Sequence, residues 1–83
     1  MAETRETVAV AQLLPGDEIH QLGMSAVYIA QTAHPLYPGL QLVIWRMSDG
    51  TWSHDALSAA QVVGMAADRS YDARHGRLRE ALR

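Results

Sequence analysis

The longest apolar stretch of the chain lies at its centre, over residues 40–54, which read LQLVIWRMSDGTWSH. Two segments rich in β-branched and aromatic residues flank an Asp-Gly pair at positions 49 and 50. Asp-Gly between such segments is a strong signal for a hairpin, because a tight turn needs positive φ at its centre. The pattern therefore predicts a β-hairpin over residues 40–54.

The register of this hairpin decides which side chains share a face. A two-residue turn pairs Met47 with Trp52 and Trp45 with His54, and paired residues lie on the same face of a sheet. One predicted face then collects the mostly apolar set Val43, Trp45, Met47, Trp52 and His54. The opposite face carries the apolar strip Leu40, Leu42 and Ile44 and becomes polar toward the turn. A three-residue turn would shift this register and flip one of the two strands.

Shorter apolar segments on both sides of the hairpin predict further strands. They alternate in polarity or concentrate β-branched residues, as strands do, over residues 7–14, 18–22, 24–33 and 62–66. Pro and Gly residues separate them, most densely in the loop HPLYPG at residues 34–39. A helix is the alternative for residues 24–33, because the segment contains three alanines.

Two segments have helical character. Asp55 is a candidate N-cap for one or two turns over residues 55–61. Near the C-terminal end, four residues fall at helical spacing and predict a helix over residues 70–82: Tyr71, His75, Leu78 and Leu82. Ser70 or Asp68 is its candidate N-cap.

Five or six short strands joined by tight turns predict a mainly β fold, a small SH3-like barrel with a short C-terminal helix. The 83 residues are enough for one domain. We expect a frayed N-terminus over residues 1–6, the β-barrel domain over residues 7–67 and the C-terminal helix or tail over residues 68–83.

Charge is unevenly distributed along the chain. The net charge is −2, and all seven basic residues are arginine, five of them within residues 68–83. Residues 1–67 are acidic overall, which argues against a general phosphate-binding surface there. The chain has no cysteine, which excludes disulfides and thiolate metal sites. An acidic N-terminal segment and the lack of a long apolar run predict a cytoplasmic protein that does not enter a membrane.

Candidate catalytic residues fail a test of spacing. Ser53, His54 and Asp55 are the residue types of a hydrolase triad, but neighbours on a strand point to opposite faces. The four histidines show no recognised metal-ligand spacing. We therefore expect no enzyme activity, no metal site and no cofactor.

Three short motifs carry a resemblance to other proteins: PGD at residues 15–17, HPLYPG at residues 34–39 and DGTWSHDAL at residues 49–57. Together they resemble uncharacterised small SH3-like β-barrel proteins of actinobacteria and their phages. The exclusive use of arginine as the basic residue fits such GC-rich genomes. The resemblance implies a fold and attaches no activity.

These observations predict a non-catalytic binding or assembly module that acts through protein–protein contacts as a homo-oligomer. The expected interaction residues are Leu40, Leu42, Ile44, Arg74, Arg77 and Arg79. The alternative is a nucleic-acid-associated accessory or regulatory protein that uses the Arg-rich C-terminal segment. We expect the face with Trp45, Met47, Trp52 and His54 to form the core, and a protein-binding or base-stacking surface is the alternative.

Overall fold

Six strands and one α-helix make up the fold in the computed structural model, which describes residues 6–21, 24–66 and 68–83. In chain order the elements are β1 (Thr7–Ala9), a 3-10 turn (Val10–Gln12), β2 (Glu18–Gln21), β3 (Met24–Ala33), β4 (Leu40–Met47), β5 (Trp52–Ser58), β6 (Val62–Met65) and α1 (Tyr71–Ala81). The strands form one open antiparallel sheet in the order β1-β6-β2-β3-β4-β5. The mainly β class and the strand number are confirmed. The sheet has β1 and β5 as its two edges.

The core lies on one face of this sheet. Its buried apolar side chains come from four strands, the 3-10 turn and the residue after that turn: Val10, Leu13, Ile19, Ala26, Tyr28, Val43, Trp45, Val63 and Met65. Trp45 and Tyr28 meet edge-to-face, with ring centroids 5.9 Å apart. Because the chain contains no phenylalanine, this pair supplies most of the aromatic volume of the core.

The turn between β4 and β5 contains three residues rather than two. The Gly50 N–H donates to the Met47 carbonyl, and the Met47 N–H donates to the Thr51 carbonyl. Gly50 has φ +88°, which is the left-handed conformation that follows a type I turn in a three-residue hairpin loop. The predicted two-residue turn was therefore wrong by one residue.

This single residue flips β5 relative to the predicted register. Arg46 lies opposite Trp52 and Ile44 lies opposite His54. Trp45 is buried as predicted, at 2% exposure, whereas Trp52 is 52% exposed on the opposite face. The prediction that both tryptophans share the core face was wrong for Trp52. It was wrong for His54 too, which also lies on the face opposite the core.

The short helix predicted after the hairpin does not form, because β5 continues through Ser58. Asp55 pairs with Val43 in the ladder instead of capping a helix. Its carboxylate accepts a hydrogen bond from the Trp45 indole Nε1–H at 3.0 Å. Pairing with β4 thus overrides the local preference of the alanines for a helix.

At the N-terminal side, the predicted strand over residues 7–14 is shorter. It ends at Ala9, and a 3-10 turn follows. The predicted frayed N-terminus falls mostly on residues 1–5, and residues 22–23 hold the predicted end of the strand over residues 18–22 and the predicted break at residue 23. Both segments lie outside the described residues.

The C-terminal helix is confirmed, with Ser70 as its N-cap. The Ser70 hydroxyl accepts a hydrogen bond from the Ala73 N–H at 3.2 Å, which satisfies one of the free donors of the first turn. Ala81 is buried, whereas Tyr71 and Leu82 are 68% and 56% exposed. Within the described residues, no helix has the length and apolar character needed to cross a membrane.

Candidate functional site

The face of the sheet opposite the core, here called the outer face, is organised as rows of side chains that lie opposite one another on neighbouring strands. Register places these rows across β2 to β5 as Glu18–Val27–Arg46–Trp52, Ala30–Ile44–His54, Thr32–Leu42–Ala56 and Leu40–Ser58. All of these residues are half-buried or exposed, whereas Val43 and Trp45 between them on β4 are buried. The three predicted apolar residues of β4 therefore share one solvent-facing strip.

Trp52 is the largest exposed side chain of the outer face. The Arg46 guanidinium lies over its indole, 4.7 Å from the ring centroid, a cation–π contact that favours one orientation of the ring. The register prediction had placed Trp52 in the core, so sequence reasoning missed it as a surface residue. Tryptophan and arginine are the residue types most enriched among the energetic centres of protein interfaces.

The free edge of β5 adjoins this face. Since Met47 and Thr51 form a hydrogen-bonded pair, the alternation of an antiparallel ladder directs the backbone groups of residues 53, 55 and 57 toward β4. The N–H and C=O groups of residues 52, 54 and 56 point away from the sheet. The Ser58 carbonyl lies on the same side and accepts a hydrogen bond from the Gln61 N–H at 3.1 Å. Within the described residues no strand pairs with that side. The strand also contains no proline, a residue that commonly protects an exposed edge.

The residue types of the suspected triad do not converge. Ser53 and Asp55 lie on the core face with Trp45, where they line a small cavity of about 150 Å³. His54 is on the outer face, opposite Ile44. Among the described residues, no three histidine, aspartate or glutamate side chains cluster as metal ligands would. The role the geometry assigns to Asp55 is to accept the hydrogen bond from the buried indole.

Replacing Asp55 with alanine should lower the free energy of unfolding by about 1–2 kcal/mol, because the Trp45 N–H loses its acceptor. Asp55→Asn is the matched control, since its amide oxygen can still accept the bond. Urea unfolding followed by tryptophan fluorescence measures both variants. Equal stability of Asp55→Ala and the unmodified protein would show that the Trp45 bond contributes nothing.

Two of the three predicted arginines are engaged within the molecule. Arg77 donates from Nε to the Gly16 carbonyl at 2.8 Å and from Nη2 to the Asp68 carbonyl at 2.7 Å. Arg74 donates from Nε to the Arg69 carbonyl at 3.2 Å. Arg79 is exposed. The Arg77 bond to Gly16 holds α1 against the loop before β2, whereas the other two bonds join α1 to the segment that precedes it.

A cleft of about 490 Å³ separates α1 from the turn end of the hairpin. It is lined on the sheet side by Arg46, Ser48 and Gly50, and on the helix side by Gly76, Arg77 and Ala81, among others. The apolar strip Leu40, Leu42 and Ile44 is not part of its lining. The structure therefore does not join the two predicted groups of interaction residues into one site.

A buried ion pair between Asp17 and Arg69 anchors the segment before α1, and sequence reasoning missed it. Asp17 is fully buried. Its carboxylate accepts from Arg69 Nε at 3.1 Å, from Arg69 Nη2 at 2.8 Å and from the Leu14 N–H at 2.8 Å. The hydrogen bond to Asp17 raises the pKa of Arg69. The one local indication of a structural role for Asp17 was the Pro-Gly-Asp turn, because an aspartate in a turn commonly hydrogen-bonds to nearby backbone groups.

Comparison with known proteins adds no assignment to this geometry. The resemblance to SH3-like proteins of actinobacteria and their phages stays a prediction that rests on its three short motifs. The chain matches no protein-family model, and neither a curated protein nor a solved structure shows significant similarity to it.

Proposed function

We propose that the protein is a non-catalytic binding or assembly module that associates with a second copy of itself through the outer face and the free edge of the β4–β5 hairpin. The observation that carries the proposal is the exposed edge of β5, which lies beside the half-buried strip of Leu40, Leu42 and Ile44 and the exposed indole of Trp52. A strand edge with unpaired backbone groups is a template for pairing with another chain.

A second copy is the partner that best suits a chain of this size. A domain of 83 residues buries a smaller fraction of its surface than a large one, so association is a common source of additional stability. An antiparallel edge can also pair with itself about a twofold axis, which is the symmetry of most dimers. The proposal places this assembly in the cytoplasm, in keeping with a chain free of cysteine.

The SH3-like barrel belongs to the same proposal. After the consecutive strands β2 to β5, strand β6 returns to pair with β2, and this return supports the SH3-like arrangement.

Replacing Ala56 with proline should convert the protein to a monomer. The Ala56 N–H points away from β4, so proline leaves the internal ladder intact while it removes a donor from the free edge and places a ring there. Thr7→Pro is the matched control, because the Thr7 N–H points outward from β1 at the opposite edge. Size-exclusion chromatography with light scattering distinguishes the two. A dimeric, folded Ala56→Pro variant would contradict the use of the β5 edge.

The alternative of a nucleic-acid-associated accessory protein draws support from the exposed side chains of Arg79 and Arg83. It is the weaker candidate, because Arg74 and Arg77 donate to carbonyl groups within the molecule. Salt-sensitive retention on heparin that is lost in Arg79→Ala would support this alternative. A protein that passes through the heparin column at low salt would contradict this alternative.

A further inference from the structure

The residues of β5 that direct their backbone groups outward limit how two copies can pair along the free edge. Residues 52, 54 and 56 present their N–H and C=O groups outward, and the side chains of the same residues lie on the outer face. Two β5 strands related by a twofold axis perpendicular to the sheet must run antiparallel. Residues with side chains on the same face must then lie opposite one another. Only registers whose axis passes through a residue meet this condition.

Side-chain chemistry discriminates among these registers. An axis at Asp55 pairs the whole strand but sets two carboxylates directly opposite each other, which is destabilising. An axis at Ala56 sets the Asp55 carboxylate opposite the apolar Leu57. An axis at Ser53 or Leu57 pairs only three residues of the strand.

An axis at His54 creates no such conflict. It sets the Ser53 hydroxyl opposite the Asp55 carboxylate of the other copy, twice by symmetry, as a donor and an acceptor. It also places the exposed Trp52 indole opposite the small side chain of Ala56. The residue on the axis is His54, and its backbone groups already point outward.

We infer that two copies of the chain pair edge to edge through β5, antiparallel, about a twofold axis at His54. This inference rests on the proposed function and specifies its partner and its register. The pairing joins the two sheets into one and places both outer faces on the same side. The strips of Leu40, Leu42 and Ile44 and both Trp52 indoles then form one continuous surface across the dimer.

The absence of cysteine from the chain makes this register directly measurable with single-cysteine variants. With the axis at His54, the two copies of residue 54 form a hydrogen-bonded pair with Cα atoms about 5.5 Å apart. A disulfide spans about 4.4–6.8 Å. The two copies of residue 56 lie four residues apart along the strands, about 13 Å, which is too far for a disulfide.

The experiment oxidises His54→Cys, Ala56→Cys and Ala60→Cys separately under mild conditions and measures the rate of covalent dimer formation on non-reducing gels. Light scattering of the unmodified protein is recorded in parallel. The Ala60→Cys variant reports random collision, because residue 60 lies in the turn beyond β5. We expect His54→Cys to cross-link fastest and Ala56→Cys to cross-link no faster than Ala60→Cys.

The other outcomes separate the register from the proposed function. Fastest cross-linking of Ala56→Cys, or equal cross-linking of the variants at residues 54 and 56, overturns the axis at His54 and leaves self-association through β5 in place. If all three variants cross-link only at the rate of random collision while light scattering shows a dimer, pairing through β5 is overturned. A monomeric protein overturns both this inference and the proposed function.

Discussion

Replacing Asp17 with alanine should lower the free energy of unfolding by about 3 kcal/mol, a large part of the roughly 5–15 kcal/mol that a domain commonly has. The substitution leaves the Arg69 guanidinium without its carboxylate and the Leu14 N–H without its acceptor. We choose the lower end of the usual cost of breaking a buried pair because the Arg69 side chain retains 19% exposure. Urea unfolding followed by the fluorescence of the buried Trp45 measures the loss.

Asp72→Ala is the matched control for this prediction. Asp72 lies exposed in the first turn of α1, where its carboxylate interacts with the helix dipole and contributes about 0.3–1 kcal/mol. The two aspartates therefore differ in burial and in partners rather than in residue type. If Asp17→Ala were as stable as Asp72→Ala, the ion pair would not be a structural anchor.

Replacing Gly16 with alanine should lower the free energy of unfolding by about 2–5 kcal/mol, from backbone strain and steric overlap combined. Gly16 has φ +93°, and a Cβ atom at this position would overlap the carbonyl oxygen of Arg74. Because that oxygen belongs to the backbone of α1, the helix must move to make room. We expect chemical denaturation to show the loss of stability and amide hydrogen exchange to show reduced protection in α1.

Gly39→Ala separates the two causes. Gly39 also has positive φ, at +84°, but an added Cβ there meets no atom within 4 Å. It should therefore cost only the conformational strain, about 1–2 kcal/mol, and leave exchange in α1 unchanged. Equal effects of the two substitutions would show that α1 does not depend on close contact with Gly16.

The hairpin illustrates what the sequence could and could not determine. The alternation of apolar residues along β4 predicted correctly that Val43 and Trp45 are buried. The same kind of pattern failed for β5, because Asp-Gly occurs in both two-residue and three-residue loops. In the structure Asp49 accepts hydrogen bonds from the N–H and the hydroxyl of Thr51 at 2.9 and 2.6 Å, and these bonds lower the pKa of Asp49.

The length of the loop determined which side chains are exposed on the outer face as well as the register of the hairpin. One additional loop residue moved Trp52 from the predicted core to the outer face, beside Arg46 and on the same side as Ile44. The apolar strip of β4 was predicted from alternation alone. The exposure of Trp52, which extends the strip, could not be predicted in this way because it depends on the length of the loop. The outer face therefore has more aromatic surface than the sequence pattern indicated.

The Asp17 ion pair lay beyond sequence reasoning for a different reason. Its partner is 52 residues away along the chain, and no periodicity or local turn pattern relates such distant positions. Arg74 and Arg77 were predicted as interaction residues for another reason, the nature of their acceptors. Their acceptors are backbone carbonyls, one of them in the loop before β2, which a list of charges does not reveal.

Light scattering over a micromolar to millimolar concentration series gives the molar mass of the unmodified protein in solution, and this mass shows whether two copies associate. Association through the outer face and free edge of the β4–β5 hairpin predicts a mass that approaches that of two 9.1 kDa chains as the concentration rises. A mass of one chain across the whole series would contradict it.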